Sequence, residues 1–85
     1  MLTLDKLKVY QRFDGDLDGW ARTTGGHDAS GMRDADWFLI EELRQGLALV
    51  AAGQATQAFA SALEQRLPDA ADDDATRQAL RALAR

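Results

Sequence analysis

Eighty-five residues carrying no cysteine, eleven aspartates and a net charge of −4 describe one small acidic domain spanning 1–85. A chain of this size buries only about 60–65% of the surface its unfolded form exposes. That leaves no room for a catalytic domain beside a structural one, and no thiolate for a nucleophile or a metal ligand.

The acidic balance opposes nucleic-acid binding, which needs basic surface to displace the counterions of phosphate. No apolar run approaches the roughly 20 residues that cross a bilayer. Met1 to Lys6 lack the basic stretch and apolar core of a secretory signal, so a cytoplasmic location is expected. Eight of the ten basic residues are Arg and sixteen positions are Ala, a usage that points to a GC-rich bacterial genome.

Taken in chain order, Leu4 to Phe13 reads two ways. As a helix it carries Leu4, Leu7, Tyr10 and Phe13 one turn apart, with Thr3 as N-cap. As a strand it alternates Leu7, Val9 and Phe13 with Lys6, Lys8 and Arg12, and Asp14-Gly15 becomes a hairpin turn. A lone hairpin is marginal in water and no later segment supplies a third strand, so the helix is the favoured reading.

Residues 14–33 form a long Asp/Gly-rich loop region. Within it, Asp16 to Arg22 has the makings of a short helix, with Asp16 as cap, Leu17 and Trp20 on one face, and Asp18 paired with Arg22. Thr23 to Gly31 reads as mobile. The strongest element runs from Asp34, as N-cap, to Ala52, and Gly53 stops it.

One broad face of that helix holds Leu39, Ile40, Leu43, Leu47, Val50 and Ala51, while Phe38 and Leu49 fall on the other side. A helix apolar on nearly all sides is usually the centre of its domain. Gly46, inside it, implies close approach of another helix. A fourth segment, Thr56 to Leu67, buries Phe59, Ala60, Leu63 and Leu67 and ends at Pro68. The last begins after Asp72-Asp73-Asp74 and buries Ala79, Leu80 and Leu83, with an Asp73–Arg77 pair. The expected fold is all-α: a single-domain bundle of about four helices with the long loop after the first.

One segment could carry chemistry. Asp14-x-Asp16-x-Asp18-Gly19 resembles the opening of an EF-hand loop, where alternate acids present oxygens and glycine permits the bend. The resemblance stops there, because position 8 is Ala21 and position 12, the bidentate Glu, is Gly25. Asp14, Asp16 and Asp18 are therefore candidate ligands for weak Ca²⁺ or Mg²⁺ association only. The competing reading has them bonding their own turn amides, with Gly15 and Gly19 at positive φ and Trp20 anchoring the loop.

His27 beside Asp28 has no second histidine and no activated serine, and the Gly-rich pieces lack a phosphate loop's Gly-Lys-Ser/Thr. Arg77, Arg81 and Arg85 read as a solvated stripe. No cofactor and no enzymatic activity are expected.

Phe38 and Leu49, about 16 Å apart along the central helix, are expected to be covered by the first helix or the Asp-rich loop. If uncovered they become the centre of a homodimer or adaptor interface, with Glu42 and Gln45 beside them. The leading expectation is a non-catalytic protein–protein interaction or regulatory module. The alternatives are a weak cation-binding domain or an acidic inhibitor of a basic toxin or nuclease.

Overall fold

The computed structural model describes all 85 residues as five helices and no strand: α1 (Leu4–Arg12), α2 (Leu17–Thr24), α3 (Asp34–Ala51), α4 (Gln57–Ala70) and α5 (Asp74–Leu83). The all-α expectation holds, with five helices where about four were expected, and the short helix expected from Asp16 to Arg22 is present as α2. It takes up two-fifths of the region 14–33 and is started by the Asp16 carboxylate, which accepts the Gly19 N–H at 3.1 Å. Central α3 packs against α4, α5 and α1, and α1 also packs against α5. The body measures 40 × 22 × 18 Å, and none of its helices is long and apolar enough to cross a membrane.

Each helix start is set by a local polar bond. Thr3 accepts the Lys6 N–H at 3.3 Å, which settles residues 4–12 as helix and not hairpin. Thr56 accepts the Phe59 N–H at 3.1 Å, and Asp73 accepts both the Thr76 N–H and its hydroxyl at 2.7 Å. At α3 the cap position is Arg33, one residue before the expected Asp34. An arginine side chain has only donors, so the bond comes back from inside the helix: Asp36 accepts the Arg33 N–H at 3.0 Å. Asp36 also takes the Lys6 ammonium at 3.2 Å and so ties α1 to the start of α3.

Several expected details differ. Asp14 (φ 52°) and Gly15 (φ 76°) together turn the chain between α1 and α2, whereas Gly19 is helical. The Asp18–Arg22 pair does not form. Arg77 donates to the Ala71 carbonyl at 2.8 Å and lies 3.8 Å from Asp74, because Asp73 is committed to its cap. Helix α4 runs through Pro68 to Ala70. One lost backbone donor near the helix end is offset by what lies beyond it: Leu67, Ala70 and Ala71 are buried, and the Leu2 N–H donates to the Ala70 carbonyl at 2.7 Å.

The core joins all five helices. Its densest part is aromatic, with Trp37 between Tyr10 (ring centroids 5.3 Å apart) and Trp20 (5.6 Å). At the other end Leu43, Leu47, Leu63, Leu67 and Leu80 fill the space between α3, α4 and α5. Gly46 faces α4. A Cβ built there would lie 3.4 Å from both Leu63 methyls and from Phe59 Cζ. That is contact without overlap, so Gly46→Ala is expected to stabilise the fold by about 0.5–1 kcal/mol through helix propensity. Thermal unfolding followed by circular dichroism checks it, and a lower melting temperature would mean α4 sits closer than described.

Candidate functional site

Core demands on α3 are met by Trp37, Ile40, Leu43 and Leu47. The positions at Ala35, Phe38, Glu42, Gln45, Leu49 and Ala52 are all exposed. Their three-and-four spacing places them in one stripe beside the α4 contact. Contrary to expectation, neither α1 nor α2 covers it: Phe38 is 64% exposed and Leu49 43%. The expected covering elements pack elsewhere, α1 against α5 and the Trp37 side of α3, and α2 through Trp20 on Trp37.

Between this stripe and α4 lies a groove of about 300 Å³, lined by Glu42, Gln45, Gly46, Leu49, Phe59, Ala62, Leu63 and Arg66. Gly46 forms its floor. Phe59, expected in the core, is 43% exposed on its wall, because Leu63 and Leu67 already fill the buried side of α4 and Gly46 offers nothing to bury Phe59 against. Phe38, Leu49 and Phe59 together expose roughly 250–300 Å² of apolar surface, near the lower edge of the range for a monomer's largest patch.

Across the groove Arg66 Nη1 donates to Glu42 at 2.5 Å, and that hydrogen bond holds the Glu42 carboxyl below its usual range. An exposed ion pair contributes little to stability; here it leaves the middle of an apolar face electrically neutral. The structure therefore groups Glu42, Gln45 and Leu49 at one groove and places Phe38 further along the same stripe.

The three aspartates do not converge. Asp14 sits in the left-handed turn, Asp16 is spent on capping, and Asp18 points from the first turn of α2. No three His, Asp or Glu side chains gather in a ligating arrangement anywhere in the chain.

A different aspartate organises the loop. Asp28 accepts Trp20 Nε1–H at 2.8 Å, the Ser30 N–H at 2.8 Å and the Ser30 hydroxyl, whose oxygen in turn accepts the Met32 N–H at 3.1 Å. The Ser30 hydroxyl and then the indole hold the Asp28 carboxyl below the ordinary range. His27 makes no side-chain hydrogen bond, and Ser30 is bound into this turn.

A second polar cluster escaped sequence reasoning. The Tyr10 hydroxyl donates to Glu41 and accepts from Arg44 Nη1 at 3.0 Å, while Arg44 Nε donates to the Leu83 carbonyl at 3.2 Å. Burial, followed by the Glu41 bond, raises the phenol above its usual value. The cluster fastens α1 and the end of α5 to α3. Arg81 is likewise engaged, donating to Glu64 at 2.7 Å and 3.0 Å, which takes the middle residue out of the Arg77–Arg81–Arg85 stripe. Comparison with protein-family models, with curated proteins and with solved structures finds no match to this chain.

Proposed function

We propose that this chain is a non-catalytic protein–protein interaction module whose docking face is the α3–α4 groove and the adjoining stripe. The observation that carries the reading is the exposure of Leu49 and Phe59 at a groove floored by Gly46, with Phe38 exposed further along the same stripe. Large apolar side chains left outside a small core lose favourable burial, and contiguous ones mark contact sites on soluble domains. The glycine floor adds to this, since Ala at position 46 would favour the helix yet make the groove shallower. A groove between two helices with an ion pair across it suits an apolar or amphipathic helix.

The test uses the chain as bait. Phe38→Asp and Phe59→Asp are expected to reduce specifically bound protein at least tenfold, with the His27→Ala control retaining it. Circular dichroism of both variants is expected to match wild type, because neither residue is buried. Undiminished binding by both variants would remove the groove as the docking face.

A further inference from the structure

Resting on that reading, we infer that the occupant of the α3–α4 face is a second copy of this chain, packed antiparallel across a two-fold axis near Glu42 and Gln45. The stripe reads the same from both ends in chemical character: Ala35, Phe38, Glu42, Gln45, Leu49, Ala52. An isologous contact requires residue i to meet j while j meets i. Antiparallel pairing of two such stripes satisfies that at every layer. Phe38 meets Leu49 of the second copy, Glu42 meets Gln45, and Ala35 meets Ala52. Parallel pairing would instead set Phe38 on Phe38 and Leu49 on Leu49, and would leave each groove without a projecting side chain to fill it.

The fit extends to shape. Phe38 does not line the groove of its own chain and stands 64% exposed, as a projecting knob. The groove beside Leu49, walled by Phe59 and floored by Gly46, offers about 300 Å³. The antiparallel register delivers each knob to the other copy's groove, twice per dimer. Large-to-hollow matching of this kind is how helix faces interlock.

Charge and area agree. Although each chain carries −4, Glu42 has its own counter-ion in Arg66 at 2.5 Å, so two copies approach without repulsion at the axis. The Gln45 amide makes only a long 3.4 Å bond to Glu41 of its own chain, and its second N–H supplies the donor for the facing carboxylate. An 18-residue helix is about 27 Å long, and with α4 beside it the face is about 20 Å wide. Such a face provides on the order of 500 Å² per copy, which reaches the roughly 1,000 Å² total of a specific interface. The assembled pair is a four-helix arrangement of two α3–α4 hairpins.

Light scattering on wild type at millimolar concentration is expected to give twice the 9.3 kDa chain mass. Phe38→Asp is expected to raise the dissociation constant on the order of 100-fold or more, since each dimer loses two central aromatic anchors. The register is read by mixing two variants. Phe38→Asp and Leu49→Lys, each monomeric alone, are expected to associate with one another, because the mixed dimer keeps one native layer and gains an Asp–Lys pair at the other. A monomeric wild type overturns the dimer, and so do two monomeric variants that fail to associate when mixed. Either result leaves the docking face open to a different protein, which the bait experiment measures independently.

Discussion

Trp37→Ala is expected to destabilise the fold by about 3–5 kcal/mol, the range for emptying a large buried aromatic site. A domain of this length has only about 4–13 kcal/mol in total, so the variant is expected to be substantially unfolded at physiological temperature. The physical reason is position. Trp37 is 1% exposed and touches Tyr10 of α1 and Trp20 of α2, and removing it empties the space those helices close upon.

Trp37→Phe should behave very differently. The indole Nε1–H is buried without a hydrogen-bond partner, a condition that itself costs about 1–3 kcal/mol. Phenylalanine removes that donor and leaves a small cavity worth about 1 kcal/mol. The two effects nearly cancel, so a change within about 1.5 kcal/mol is expected. Thermal and urea unfolding by circular dichroism measure both variants. A Trp37→Phe loss as large as that of Trp37→Ala would mean the indole N–H does find a partner.

The same exchange at Trp20 is expected to cost more, and Asp28→Ala gives the cleanest version. Trp20 is fully buried, and its one polar atom depends on Asp28. Removing the carboxylate leaves that N–H unsatisfied and unties Ser30 from its turn, for a loss of about 1–3 kcal/mol.

Acid should reproduce the effect. The Asp28 carboxyl is held below its ordinary value of 3.8. A group whose pKa is lower in the folded state stabilises it fully above the unfolded value and loses that contribution as pH falls through the folded one. The stability difference between wild type and Asp28→Ala is therefore expected to be constant near neutrality and to shrink below about pH 4. A difference that persists unchanged into strong acid would assign the loss to packing.

How much of this was legible depends on how local each cause is. Thr3 and Asp16 act on amides three residues ahead and are readable as caps from the chain alone. Thr56 and Asp73 act the same way, yet in the sequence Thr56 reads as part of its helix and Asp73 as the partner of Arg77. The α3 start was displaced by one residue because its cap runs backwards, from Asp36. The passage of α4 through Pro68 depends on Leu2, sixty-six positions away, holding the Ala70 carbonyl. Trp37 looked no different from its neighbours until α1 and α2 closed on it.

The groove was half visible. Phe38 and Leu49 were recognisable as surplus to the buried face of α3, yet whether they are covered depends on where α1 and α2 dock. Phe59 belongs to the site because Gly46 faces it without a side chain, and a glycine opposite an aromatic one helix later was the available signal. In the Asp-rich segment the eye is drawn to Asp14, Asp16 and Asp18 by spacing, whereas the tertiary bond belongs to Asp28, whose only mark in the sequence is Ser30 two residues on.

The placement of the aromatic residues also governs what the protein can report by light. Both tryptophans and the single tyrosine occupy one cluster where α1, α2 and α3 meet, while the groove wall holds phenylalanine alone. Intrinsic emission therefore reads the seating of α2 and the Trp20–Asp28 bond. It is nearly blind to whatever occupies the α3–α4 face, so binding there must be followed by mass, by amide chemical shifts, or by a label placed on the stripe.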